Sequence, residues 1–395
     1  DEPCAPSMLY TDPRGKEQCE RLINQFCAEK LAFKTGAKTH EMYSMPKIMW
    51  IKENMPDNFN RAKKILLMQD YIVYMLCGIC QIDYSLAART ICFDIENKCW
   101  DKEILSFSEI DEKLLSVPVP TGSPAGKIKP QLANELGISV DCIIGNGAHD
   151  QIAAMCGANI STNEQVMDGT GTVECVPVLF DDIPKDYELY NMGYSLAPHP
   201  NGGYACYVLS YTGGATLKWF RDNFSDTGYA ELDKTVKENP TDILIMPHFA
   251  GAATPYMDTN SKAAILGLTF EHTKSDIYKA LMEGTAYEIA LNLEILKKRG
   301  LSAQSVTATG GGAKSDVWLQ IKADVLGLPV TALNCKEIGS AGTAFMAGYT
   351  AGIYEKNIML AKPRKTFYPN NTRHEYYKKQ LAKYKRIYNA AKEVM

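Results

Sequence analysis

Three glycine-rich turns, each set directly after a short apolar, β-prone run, constrain this 395-residue chain more than any other feature. They are Gly145-Asn146-Gly147-Ala148-His149-Asp150 after Cys142–Ile144, Asp168-Gly169-Thr170-Gly171-Thr172 between Glu164–Met167 and Val173–Leu179, and Gly310-Gly311-Gly312-Ala313-Lys314-Ser315 after Ser305–Thr309. Glycine lets a backbone turn sharply and approach a ligand closely, as connections out of strands often require. Further strand-like runs lie at Tyr204–Leu209, Ile243–Met246 and Pro329–Leu333, several of these runs being followed by a helical stretch. The part before Cys142 is helix-rich: the pattern predicts helices over Gly15 to Leu31, from Ser44 to just before Pro56, and from about Ala62 to Leu76. The alternation describes an α/β protein.

A chain of this length exceeds what one core usually organises, which predicts two domains, 1–158 and 159–395, divided at the small and polar stretch from Ala158 to Asn163. Lys and Arg number 42 against 46 Asp and Glu, so no broad basic footprint for nucleic acid or an anionic membrane is available. The most apolar run, Ile65 to Cys80, is broken by Gln69 and Asp70 and is too short to span a bilayer. No basic and apolar leader follows Asp1, and the twelve cysteines are scattered through mostly apolar segments. The chain is therefore expected to be cytoplasmic, with reduced and largely buried thiols. Cys77-Gly78-Ile79-Cys80 has no second pair or ligating histidine near it and is assigned to core packing. The alternating Lys and Tyr residues from Glu375 to Met395 fit an amphipathic closing helix better than an RNA-binding arm.

The turns also suggest a chemistry. Asp150 falls at or near a helix start, where the dipole favours an ionised carboxylate able to accept a proton; the alternative is a helix cap. Gly169 to Thr172 offer backbone N–H groups and two hydroxyls suited to phosphate oxygens, or simply a tight hairpin. Three successive glycines at Gly310 to Gly312 leave room for a flat group such as adenine or ribose, with a helix N-terminus nearby. Neither GxxxxGK[ST] nor GxGxxG is present, and the six histidines do not cluster. Glycine turns spread over both halves suggest a nucleotide held in a cleft between domains.

Two longer segments are recognisable. Met42-Tyr43-Ser44-Met45-Pro46-Lys47-Ile48-Met49-Trp50-Ile51-Lys52-Glu53-Asn54 resembles the first signature of the FGGY carbohydrate kinases, and Ala263 to Leu268 with Asp276 to Glu283 resembles the second. The resemblance covers essentially the whole chain. It implies two actin-like, ribonuclease H-like α/β domains closing on ATP and a sugar or polyol, with Mg²⁺ bridging the phosphates. It implies Asp150 as general base, Gly169, Thr170, Gly171 and Thr172 as the phosphate turn, and Gly310, Gly311, Gly312, Ala313 and Lys314 as the adenosine turn. Tyr10, Asp12 and Arg14 would line or support the substrate pocket, while Asp70, Asp83 and Ser85 match family positions assigned to structure. A homodimer is expected by resemblance only.

Family members begin with a strand and turn carrying Asp-x-Gly-Thr, which no segment here matches. This implies either a trimmed form of a complete kinase or a remnant without turnover, and it leaves the metal ligands unassigned. Met42 replaces a tyrosine of glycerol kinases, and Ala148-His149-Asp150-Gln151 is closer to xylulokinase-like members, so a ketopentose such as xylulose is the expected substrate. The alternatives are a deoxyketohexose, glycerol or erythritol, or a non-catalytic sugar or nucleotide sensor on the same fold.

Overall fold

The computed structural model describes residues 2–355 and 358–394. Its centre is a seven-stranded sheet built from β7 (Gln165–Thr170), β8 (Glu174–Phe180), β9 (Leu196–Pro198), β10 (Tyr204–Ser210), β13 (Ser305–Gly310), β14 (Val330–Asn334) and β15 (Lys362–Phe367). The spatial order is β15-β14-β13-β7-β8-β10-β9. β7, β8 and β10 form an antiparallel meander, and β13 and β14 join β7 in parallel. β8 is buried at every position, as a strand covered on both faces should be. All seven runs read as strands from the sequence are strands, six of them within one residue at each end; β7 runs three residues further than expected and takes Asp168, Gly169 and Thr170 out of the turn, and β11 (Leu244–Met246) pairs with β12 (Ala264–Leu266) as a separate hairpin.

The first half is built differently. Its described strands pair two by two: β1 (Gln81–Asp83) with β4 (Val117–Val119), β2 (Phe93–Asp94) with β3 (Cys99–Trp100), and β5 (Pro124–Lys127) with β6 (Ile143–Gly145). Two of the three expected helices are interrupted. Cys27, at φ 67°, splits the first into Lys16–Phe26 and Ala28–Thr35. The third is absent over most of 62–67 and begins at Met68, ending at Cys77 under a left-handed Gly78. Helix Ser44–Asn54 is as expected.

The two halves meet where helix Asp150–Gly157 crosses helix Ile338–Thr350. A Cβ at Gly342 would lie 1.7 Å from the Ala153 carbonyl oxygen, and one at Gly157 would lie 2.2 Å from that of Ile338, so only glycine permits this approach. Helix Asn371–Tyr384 closes the fold as an amphipathic element: Tyr377 and Tyr384 are buried against Glu283 and Glu288, while Lys378, Lys379 and Lys383 face water. All twelve cysteines are free, but only Cys19, Cys92, Cys175 and Cys206 are buried, which corrects the expectation of largely buried thiols; the exposed Cys27 and Cys99 sit at the break between two helices and in a two-stranded ribbon. No helix among the described residues is long and apolar enough to cross a membrane.

Candidate active site

Asp150 is the first residue of helix Asp150–Gly157, with His149 as the residue before it. Its carboxylate accepts from the Gln151 N–H at 2.7 Å and is otherwise open, 78% exposed. The turn behind it is pinned. The His149 N–H donates to Ser85 Oγ at 2.8 Å, and Ser85 Oγ donates to Asp83 Oδ2 at 2.5 Å. Asp83 is buried and also accepts from the Ser85 and Leu86 N–H groups and the Thr121 hydroxyl. Thus Asp83 and Ser85, expected to be structural, support the Asp150 turn directly. The His149 ring lies against Tyr207 with centroids 5.5 Å apart, and its Nδ1 is 3.2 Å from Asp150 Oδ1. Burial lowers the His149 pKa to about 4, with the Asp150 charge opposing and Arg89 assisting, so the ring is neutral at neutral pH.

The second and third turns are brought side by side. β7 and β13 run parallel in a register that pairs Gly169 with Thr309 and Thr170 with Gly310. Gly310 has φ 81°, and a Cβ there would stand 2.6 Å from the Thr170 carbonyl oxygen; one at Gly312 would stand 2.7 Å from Thr170 Cβ. The glycine run is therefore what lets the third turn lie on the second. After it, residues Gly312–Lys314 form one 3₁₀ turn, and Ser315 Oγ caps helix Asp316–Leu326 by accepting from Trp318 N–H. Gly311 and Lys314 are exposed beside the phosphate turn's own exposed residues, Gly171 and Thr172.

Two expectations for the second turn need correction. The Thr170 hydroxyl points inward, bonded at 2.9 Å to Asp168 and Glu174, so it is not available to a ligand; Thr170 is the last residue of β7 and is buried, whereas Thr172 lies beyond the strand and is exposed. The Gly171 N–H is spent on the Val173 carbonyl. The N–H groups of Thr172 and Val173 have no partner among the described residues and are the ones open to an anion.

A fourth turn, which the sequence reading did not single out, completes the group. Residues Thr212 to Gly214 start helix Gly214–Phe224, and the N–H groups of Gly213 and Gly214 donate to the carbonyls of Thr172 and Gly171. The Gly213-Gly214 pair after the run Tyr204–Leu209 was the available signal.

Electrostatics link these turns to Asp150. Burial holds the Cys175 thiol, next to Glu174 on β8, well above its usual range, and the nearby carboxylates of Asp150, Glu174 and Asp168 add to the shift. The Asp150 carbonyl oxygen also lies 3.9 Å from where a Cβ of Gly339 would be.

Tyr10, Asp12 and Arg14 belong to a segment with contacts of its own. Asp12 and Arg14 form an ion pair, Arg14 sits over the Trp50 ring at 4.8 Å, and Lys47 donates to the Asp12 carbonyl. The Arg14 guanidinium holds the Asp12 carboxyl far below the usual carboxylate range. Tyr10 is 69% exposed. No hydrogen bond or ion pair joins Asp12 or Arg14 to Asp150 or the glycine turns among the described residues. No group of three or more His, Cys, Asp or Glu side chains is arranged to hold a metal ion among those residues either.

Comparison with known proteins agrees with this architecture. Residues 1–157 match the FGGY family of carbohydrate kinases, N-terminal domain, and residues 193–351 match its C-terminal domain. A xylulose kinase of Staphylococcus epidermidis is 29% identical, over 99% of this chain and 79% of its own. A glycerol kinase of Pseudothermotoga lettingae is 27% identical, over 96% and 78%. Among solved structures, xylulose kinase from Lactobacillus acidophilus superposes with a TM-score of 0.87 at 24% identity, covering 98% of this chain and 80% of that one. The fold is that of a two-domain, actin-like ATPase. The chain belongs to the FGGY family of carbohydrate kinases, enzymes that use ATP to phosphorylate a sugar.

Proposed function

We propose that this kinase transfers the γ-phosphoryl group of ATP to a hydroxyl of a ketopentose such as xylulose, with Asp150 as general base. What supports the reading is an open carboxylate at a helix start, in a chain whose second and third glycine turns interlock and leave two backbone N–H groups without a partner among the described residues. The xylulose kinases among the relatives support the choice of acceptor. In this reading Asp150 orients the attacking hydroxyl and takes its proton as the bond to phosphorus forms. The Thr172 and Val173 N–H groups grip phosphate oxygens, with Gly169 to Thr172 shaping the turn. Gly310, Gly311, Gly312, Ala313 and Lys314 form the bed for adenosine. Tyr10, Asp12 and Arg14 serve the sugar side, as a rigid segment braced on Lys47 and Trp50. Mg²⁺ would enter as its ATP complex and would neutralise charge on the phosphate oxygens.

The test is ADP release, coupled to an optical signal, across xylulose, other ketopentoses, a deoxyketohexose, gluconate, glycerol and erythritol. Acceptor-dependent release with the highest kcat/KM for a ketopentose is expected. Tight ATP binding with no acceptor raising the rate above background would replace this reading by a non-catalytic sensor.

A further inference from the structure

Lys322 lies inside helix Asp316–Leu326 as a fully buried ammonium. Its Nζ donates to the Asp168 carboxylate, to Thr170 Oγ1 at 2.7 Å and to Glu174 Oε1 at 2.7 Å. These three partners bracket one turn: Asp168 and Thr170 end β7, and Glu174 begins β8. Only Gly171, Thr172 and Val173 lie between them, and all three are exposed.

A buried ammonium requires compensation, and a single carboxylate would supply it. Here two are gathered, together with a hydroxyl, around one cation at the root of one loop. Burial works against the Lys322 charge, and Asp168 and Glu174 more than restore it. The cluster uses all three Nζ hydrogens and the Thr170 hydroxyl, so the turn's root has no rotational freedom left. The helix that carries Lys322 starts at Ser315, directly after the adenosine turn, and Lys322 reaches back from it to the phosphate turn. One side chain therefore ties the helix that follows the third turn to the root of the second.

We propose that Lys322 is a positioning residue that fixes the root of the Gly169–Thr172 turn beside the Gly310–Gly312 turn, so that the Thr172 and Val173 N–H groups are held in place for nucleotide phosphate. Lys322 itself touches no ligand. The inference rests on the reading of these turns as the ATP site. It makes a distinction that a merely structural lysine would not: loss of Lys322 should weaken recognition of the phosphates and spare that of adenosine, whose bed is built from the third turn's own backbone.

The experiment is calorimetric titration of the parent chain, Lys322→Gln and Asp168→Asn with ATP and, separately, with adenosine, alongside KM values for ATP and for the sugar. For Lys322→Gln the expected result is a loss of about tenfold or more in ATP affinity with adenosine affinity changed less than about twofold. KM for ATP should rise in parallel while KM for the sugar holds. Asp168→Asn keeps an oxygen for Lys322 and leaves the ammonium paired with Glu174; it should show the same pattern at about threefold. If circular dichroism shows Lys322→Gln unfolded, Asp168→Asn decides by the same comparison. Equal losses for ATP and adenosine, or none for either, would overturn the inference. A parent chain that binds adenosine but gains nothing from the phosphates of ATP would instead remove the kinase reading of the turns, and this inference with it.

Discussion

The Asp150 turn and the Gly169–Thr172 turn are both glycine loops at strand ends, yet they are anchored in opposite ways. β7 sits in mid-sheet between β13 and β8, and its turn is rooted in a buried cluster of one ammonium and two carboxylates. β6 pairs with β5 alone among the described residues, Ile143 on it is 45% exposed, and the turn beyond it is held by neutral bonds: Asn146 N–H to the Ser123 carbonyl, Gly122 N–H to the Asn146 carbonyl, Asn146 Nδ2 to Gln81, and His149 N–H to Ser85 Oγ. The difference suits the roles proposed for the two turns. A phosphate grip works through dipoles that must already point the right way when charge develops, so every degree of freedom removed in advance lowers the barrier. A general base must instead reach a substrate hydroxyl, and its carboxylate cannot be consumed by structural bonds. Fixed below and open above is what each turn needs, in different proportion.

Asp150→Asn is the sharpest way to break this comparison. It should cost about 10²- to 10⁴-fold in kcat, since a positioned general base contributes that much, while stability stays within about 0.5 kcal/mol because the carboxylate is exposed. Steady-state ADP release and a thermal melt on the same preparation check both halves of the statement; activity within a few-fold of the parent would take Asp150 out of the base role. The reverse pattern belongs to the other turn. Lys322→Met leaves Asp168 and Glu174 buried without their cation and should lower folding stability by about 3–5 kcal/mol. Urea unfolding measures this, and a loss below about 1 kcal/mol would mean the cluster is not the anchor described.

These residues also mark how far the sequence could be read. Strands were legible because β8, β10 and β13 are apolar runs closed by Gly or turn residues. The sheet order was not, because parallel pairing of β7 with β13 joins segments about 140 residues apart, for which no local signal exists. Asp150 was legible from its turn. Lys322 was not: a lysine in Val317-Trp318-Leu319-Gln320-Ile321-Lys322 reads as a solvated helix position until packing turns that face inward. The inward Thr170 hydroxyl had the same origin, since a hairpin's facing is set by the strands it joins and not by its own composition. In the first half the expected helix from Ala62 to Leu76 failed at residues 62–67, where Ile65 N–H bonds to the Leu114 carbonyl instead of to the carbonyl four residues before it. A tertiary partner overrode local propensity there.

His149 offers a smaller effect that separates burial of the Asp150 turn from exposure of its carboxylate. Its folded pKa, about 4, lies below the ordinary histidine value, so the native state binds fewer protons than the unfolded chain between the two. The stability involved is complete above pH 6.5 and is lost as pH falls through 6.5 towards 4, by about 2–3 kcal/mol. The groups facing the ring are Asp150, Arg89, Tyr207 and the Ser85 backbone contact. Asp70 and Glu283, both raised to about 7 by burial, titrate in the opposite sense over an overlapping range. The observable is therefore a difference: the stability of His149→Asn should fall less steeply than the parent's on acidification from pH 7 to 4, and parallel curves would show that His149 is not buried as described.

Ser85→Ala is the mildest perturbation and tests the bond nearest Asp150 among those that hold its turn. Ser85 Oγ accepts from His149 N–H and donates to Asp83, so its removal leaves one turn amide and one buried carboxylate each short of a partner. Asp83 retains the Ser85 and Leu86 N–H groups and the Thr121 hydroxyl, so its loss is partial and the stability cost should be about 1–2 kcal/mol. The functional effect should be out of proportion to that cost. Freeing the amide before Asp150 loosens the orientation of the base and not the phosphate grip, so kcat should fall by about five- to tenfold while KM for ATP stays within about twofold. The same kinetic split run on Lys322→Gln should appear in KM for ATP, so the two substitutions sort the anchors by the turn each one serves. A Ser85→Ala enzyme in which KM for ATP rises with kcat unchanged would mean that the turns share one support, and the contrast between them would fall.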